Sequence, residues 1–405
     1  MLFLLKKYWH YLVIFFLFSV SILYYSRAQP QIKDNSGYGP DGINYYHIYK
    51  YYKGDADHGK IYWPFNKRTG LPWLASKLPL SDRAAFLTLN LASGLLVILF
   101  CYLALKKNVH GVALCACIVP TFFYLHSPLR YSFFYPYTVD PPAIACYAIA
   151  AFLIVKSKYW SAISVLVLSC AFREQGVYFA LIIGPTLWVI KSANLRTALL
   201  MGCFALTGFG VNFLVQFPQP LYTAELTGSQ LDVLVQFAKA RLLSIKGFLS
   251  ALTGISHTLA SFLFTLPAIL AWRKTPPTPA VAISAVSLLL SIGMALLGGL
   301  DFVRIFYMGF PLYVIFLCNL MHKYDSRRII FFTLAGLVAN TFLSPISRTT
   351  VSPHEWWIPQ FFDSLAGRSV PLTISFGTFW AFIYAIDYFL LARKAGGRPT
   401  NESGL

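Results

Sequence analysis

The chain has 405 residues, of which 57% are hydrophobic and only 12% charged, and its mean hydropathy is +0.60. A soluble domain carries roughly 25% charged residues, and the apolar runs here are too long and too frequent for buried core helices, because a spanning helix needs about 20 apolar residues. The formal charge of +18 does not describe a nucleic-acid binder: the basic residues sit in pairs at the ends of apolar runs, where they anchor helices and set topology, and no basic stripe interleaved with aromatics occurs.

Twelve apolar segments are predicted, at about 8–25, 85–105, 109–126, 140–155, 159–172, 176–190, 196–216, 247–271, 279–299, 305–321, 329–345 and 371–392. The fifth and sixth are short and meet at Arg173-Glu174, as a thin hairpin or as broken helices. Lys6 and Lys7 precede the first segment and place the N-terminus in the cytoplasm. Alternation then puts Lys106, Lys107, Lys156, Lys158, Lys191, Arg196, Arg273, Lys274, Lys323, Arg327, Arg328, Arg393, Lys394 and Arg398 inside as well, with only Asp325 and Glu402 as acids among them. Asp387 falls within the last segment, and the remaining acids fall outside. Cleavage of the first segment after Ser26-Arg27-Ala28 is a competing expectation that leaves the rest of the topology unchanged. The expected organisation is one transmembrane domain over 1–394 and a polar, disordered cytoplasmic tail over 395–405.

Three outer loops are long, at about 26–84, 217–246 and 346–370. The cytoplasmic turns are too short to hold a folded domain, so an active site belongs outside. The seven cysteines all lie in apolar runs, without a C-x-x-C pair, and the eight histidines include no i,i+4 pair. Neither a zinc site nor a disulfide frame is indicated, although a divalent cation held by carboxylates stays open.

In the first outer loop, Asp41-Gly42 closes a turn before the aromatic run containing Tyr45 and Tyr46. Such a run suits a helix lying along the membrane surface, with Asp41 either capping it or serving as a chemical carboxylate. Lys67 and Arg68 follow Trp63-Pro64-Phe65. The pair could meet a lipid phosphate or touch headgroups; the headgroup reading favours Lys67 over Arg68, which offers the fork that matches a phosphate. Asp140 before Pro141 reads as an N-cap with proline at the first helical position, or as a carboxylate placed to hold an acceptor hydroxyl or a cation. Arg173 and Glu174 would be costly at membrane depth unless they line a polar cavity. Asp301 and Arg304 are either a surface i,i+3 pair or place Arg304 at a lipid-linked phosphate. His354-Glu355-Trp356-Trp357 is not H-E-x-x-H, because position 358 is Ile358, and suits interfacial anchoring.

Four of these features together resemble the polytopic glycosyltransferases of the GT-C fold, a group that includes protein mannosyltransferases, aminoarabinose transferases and many bacterial members. They are Asp41-Gly42 with Tyr45 and Tyr46; the stretch Pro64 to Ser76 containing Arg68; Asp140 followed by Arg173-Glu174-Gln175-Gly176; and Asp301 with Arg304 before Pro311. Order and spacing match over most of the chain. The resemblance implies an all-α polytopic bundle of about twelve segments whose first outer loop carries surface helices. It also implies a polyprenyl-phosphate sugar donor used on the outer face, with a glycan, lipid or protein acceptor, and Asp41 on the position of the catalytic carboxylate. Gly42 stands where protein mannosyltransferases have a second acid, and no large soluble C-terminal domain follows, so the acceptor is left open.

The chemistry fits these residues independently. A sugar phosphate already has a good leaving group, so the acceptor needs a base more than the donor needs an acid, and cations must hold the phosphate as the glycosidic bond breaks. The expected roles are Asp41 as general base with inversion at the anomeric carbon, Asp140 placing acceptor or base, and Arg68, Arg173 and Arg304 on the donor phosphate. Glu174 would orient Arg173, supported by Asp301, Tyr45 and Tyr46. A transporter or flippase of a lipid-linked saccharide, a polysaccharide polymerase or ligase, and a non-catalytic assembly subunit are the competing readings. The compact loops suit a bacterial inner membrane with both termini cytoplasmic, and an endoplasmic reticulum membrane would have the same topology.

Overall fold

The computed structural model describes residues 2–106 apart from 30, 33, 40, 58, 60 and 62–64, then 114, 118, 121, 122, 127–215, 239, 278–297, 302–321, 326–342, 381, 382 and 385. Nearly all of the third, eighth and twelfth apolar segments, the two later outer loops, Asp301, His354 to Trp357, Asp387 and the tail lie outside the described residues. Among the described residues the architecture is all-helical, with no strands.

In chain order the helices are α1 (Leu2–Ala28), α2 (Gly42–Lys53), α3 (Gly70–Ser76), α4 (Asp82–Leu105), α5 (Pro128–Phe134), α6 (Asp140–Val155), α7 (Tyr159–Ser169), α8 (Gly176–Val189), α9 (Leu195–Val215), α10 (Pro279–Leu297), α11 (Phe302–Met308), α12 (Phe310–Met321) and α13 (Ser326–Phe342). Their starts follow local chemistry. Ser127 caps α5, its hydroxyl accepting from Arg130 N with Pro128 in the first turn. Asp82 places a negative charge in the first turn of α4, where the helix dipole favours it. The predicted tenth segment is divided into α11 and α12 about Gly309. The fifth and sixth are the short helices α7, of 11 residues, and α8, of 14; at 1.5 Å per residue they reach about 16 and 21 Å.

Two apolar cores organise the molecule. The larger gathers α4, α6, α7, α8, α10 and α12, with α1 and α9 packed on it. α6 lies at its centre: Ala143, Ala148, Ala150 and Ala151 are fully buried, and small side chains let neighbouring helices approach closely. The smaller core joins Tyr45, Ile48 and Tyr49 of α2 and Leu71 and Ala75 of α3 to Phe86 of α4 and to Tyr131, Tyr135, Tyr137 and Val139. The first long loop therefore folds into a cap of short helices seated on one end of the bundle.

Asp82–Leu105 and Leu195–Asn212 are long and apolar enough to cross a membrane. Large apolar side chains also face outward: Leu12, Phe15, Phe16 and Leu23 on α1, Leu95, Leu96 and Leu99 on α4, and Leu199, Leu200, Leu206 and Leu214 on α9.

Candidate functional site

The site forms where the cap meets the bundle. α2 begins at Gly42, and Asp41 occupies the cap position but makes no side-chain capping bond. Glycine is required on both sides of it. Gly39 has φ +75°, and a Cβ there or on Gly42 would come within 3.0 Å of the Tyr135 ring, while Tyr135 Oη accepts a hydrogen bond from Gly42 N. The Asp41 turn is thus pressed against the segment that leads into α6. That segment is itself tied down by Asn90 in the middle of α4, whose Nδ2 donates to the carbonyls of Pro136 at 2.8 Å and Thr138 at 3.0 Å.

Asp140 is not the N-cap of α6: Val139 holds that position and Asp140 is the first helical residue. Its carboxylate turns away from the helix to meet two guanidiniums, Arg173 Nε at 2.6 Å from Oδ1 and Arg304 Nε at 3.1 Å from Oδ2. Arg304 also donates from Nη1 to Tyr131 Oη at 3.0 Å and from Nη2 to Asp41 Oδ2 at 3.3 Å. One guanidinium therefore spans the two carboxylates singled out in the sequence, Asp41 and Asp140. Asp140 is the more deeply buried of them, with its side chain 3% exposed against 13% for Asp41.

Beside this chain lies a second pair. Arg68 grips Glu174 with both arms, Nε to Oε2 at 2.9 Å and Nη2 to Oε1 at 2.6 Å, while Nη1 donates to Tyr45 Oη at 3.2 Å. The bidentate form is the strongest geometry an arginine and a carboxylate can adopt. The expectation that Glu174 orients Arg173 is corrected: Glu174 belongs to Arg68, and Asp140 orients Arg173. Neighbours in a tight turn point in different directions, and here each finds a partner on a different element. A backbone bond from Gly70 N to Ala171 O at 2.9 Å fastens the Arg68 turn to the Arg173-Glu174 turn.

The remaining predicted residues are placed differently. Tyr46 does not join the arginines but stacks on Tyr38, with ring centroids 4.3 Å apart. The ammonium nitrogen of Lys67 is buried in a half-buried residue, and that burial pulls its pKa down to about 8. Asp301 lies outside the described residues, and Arg304 is paired with Asp41 and Asp140.

No family model, curated protein or solved structure matches the chain. The site is accordingly read from its own geometry. Three guanidiniums and three carboxylates meet in pairs, a set suited to exchanging internal carboxylates for an incoming phosphate. A divalent cation fits less well. It would reach Asp41 and Asp140 only by displacing Arg304, and among the described residues no three ligand-type side chains come together.

Two residues of the site were not signalled as such. Asn90 is legible only as an amide inside an apolar helix, a feature that marks a polar partner nearby. Tyr131 is one tyrosine among 25 and has no local signature. Tyr131→Phe is expected to release Arg304 Nη1 and to cost about 0.5–1.5 kcal/mol of positioning, read as a several-fold fall in kcat with KM and thermal stability little changed. An equal loss of stability would make Tyr131 a packing residue only.

The Arg68–Glu174 pair makes a pH prediction. Burial alone would raise the Glu174 carboxyl; the Arg68 charge and its hydrogen bonds, followed by Arg173, outweigh it and bring the pKa from 4.5 down to about 2. A group depressed in the folded state contributes stability above its unfolded pKa and loses it as pH falls through the folded value. Melting temperature should therefore drop as pH falls from about 4.5 toward 2, and Glu174→Gln should remove that part of the slope. A variant with an unchanged acid limb would show that the pair does not govern it.

Proposed function

We propose that this chain is a polytopic membrane glycosyltransferase that moves a sugar from a polyprenyl-phosphate donor to an acceptor at the non-cytoplasmic surface. The observation that carries this reading is the convergence of Asp41, Arg68, Asp140, Arg173 and Arg304, from distant parts of the chain, on one place at the junction of cap and bundle. A bundle of about twelve spans, with both termini cytoplasmic in a bacterial inner membrane, is supported by the basic short turns. It is further supported by the outward leucines and phenylalanines, which water would penalise and lipid tails would not.

In this reading the cap faces the headgroup layer, so the polyprenyl tail stays in lipid while its phosphate reaches the arginines. Asp41 takes the proton from the acceptor hydroxyl as the acceptor oxygen bonds to the anomeric carbon and the bond from that carbon to the phosphate oxygen breaks. Polyprenyl phosphate leaves with the bonding electrons, its charge held by Arg304 and Arg173, and configuration inverts. Asp41 suits the base because, among the described residues, its one ion-pair contact is the longest in the network, whereas Asp140 is held by two arginines and acts as a positioning residue. Arg68 is held by Glu174 and Tyr45 at the other side of the same site. The test is transfer of labelled sugar from membrane lipids by the wild type and by Asp41→Asn, with the variant shown to insert and accumulate normally. Unchanged transfer would remove Asp41 from the mechanism.

A further inference from the structure

Two buried amides lie on the turns that carry Arg68 and Arg173, and the mechanism above does not use them. Asn66 lies in the turn Phe65–Lys67, two residues before Arg68, and Gln175 follows Glu174 directly. Both turns are clasped together by the Arg68–Glu174 pair and by the Gly70–Ala171 backbone bond. Asn66 is 6% exposed and Gln175 9%, yet Asn66 Oδ1 and Gln175 Oε1 have no hydrogen-bond partner among the described residues. Leaving such an acceptor unsatisfied costs about 1–3 kcal/mol, and buried polar atoms without partners call for an explanation.

The chemistry of the cluster supplies one. Its arginines offer many donors, and its carboxylates are engaged by those arginines. A phosphate is thus provided for, but a sugar also presents hydroxyl hydrogens, which need uncharged acceptors that the guanidiniums have not already taken. The amide oxygens of Asn66 and Gln175 are of that kind and sit on the two turns that carry the phosphate-binding cations. We propose that Asn66 and Gln175 accept hydrogen bonds from hydroxyls of the transferred sugar and determine which donor is used. This rests on the glycosyltransferase reading and assigns the sugar-recognising side of its site.

Substitution by shape-matched apolar residues separates this role from a structural one. Asn66→Leu and Gln175→Met remove the amide while keeping volume. Because the oxygens have no partner among the described residues, neither change is expected to lower the melting temperature of the full chain in detergent. Binding is then compared for undecaprenyl phosphate and for its hexosyl and pentosyl derivatives. The wild type is expected to hold at least one sugar-bearing lipid more tightly than the bare phosphate. Each variant should lose roughly 5- to 150-fold of that preference, the equivalent of about 1–3 kcal/mol, with affinity for the bare phosphate unchanged. Preference retained in both variants, or equal weakening of bare and sugar-bearing lipids, would overturn the proposal while leaving the arginine site intact. A wild type with equal affinity for the bare lipid and every derivative would overturn it too. Failure of the wild type to bind any lipid phosphate would instead bring down the glycosyltransferase reading, and this assignment with it.

Discussion

Asp140→Ala is expected to destabilise the folded protein by about 3–5 kcal/mol, the usual consequence of removing one partner from a buried ion pair. Asp140 serves two cations at once, Arg173 at 2.6 Å and Arg304 at 3.1 Å, so its loss takes away the carboxylate of the buried Arg173 and leaves Arg304 with the longer contact to Asp41. Against a total stability of about 5–15 kcal/mol, that is enough to reduce accumulation in the membrane. The measurement is melting temperature in detergent alongside the amount of inserted protein. Replacing the pair together, as Asp140→Leu with Arg173→Met, should recover much of the stability, because an apolar pair of similar volume avoids the desolvation penalty. The double variant should remain inactive. If Asp140→Ala melted like the wild type, these buried pairs would not be holding the start of α6 to α11 and to the turn before α8.

Asp41→Asn is expected to give the opposite combination, a large loss of transfer with little loss of protein. A positioned general base contributes about 10²–10⁴-fold, and the amide cannot take the acceptor proton. Structurally the change is mild. Among the described residues the Asp41 side chain has one ion-pair contact, Arg304 Nη2 at 3.3 Å; the amide oxygen can still accept from it, and Arg304 keeps Asp140 and Tyr131. Labelled-sugar transfer at matched protein amounts checks this. Full transfer by Asp41→Asn would move the base elsewhere, and Asp140 would be the next carboxylate to examine. The contrast between the two aspartates, one lost to stability and the other to activity, is the sharpest consequence of their different burial.

Helix positions were largely legible because they depend on local pattern. The predicted span 140–155 coincides with α6, and 176–190 with α8 to within a residue, since apolar periodicity and Pro-containing starts are written in neighbouring residues. The division of the tenth segment at Gly309 was not anticipated, because an apolar run on either side of a single glycine reads as continuous. The burial of the Lys67 nitrogen is not legible for a related reason: a lysine beside aromatics looks wholly interfacial in the sequence.

Read alone, the amino-acid sequence predicts the helical character of the described chain and most of its helix boundaries, and it singles out Asp41, Arg68, Asp140, Arg173, Glu174 and Arg304 as candidates because charge is scarce and costly between apolar segments. Only the tertiary structure decided who pairs with whom. Asp41 and Arg304 are 263 positions apart, Arg68 and Glu174 106, and no local rule relates such distances. Their meeting depends on α2 and α3 folding back onto the end of α4, on the backbone bond from Gly70 to Ala171, and on Asn90 anchoring the turn before Asp140. A carboxylate's partner is set by which elements pack against its own, and packing is a property of the whole bundle.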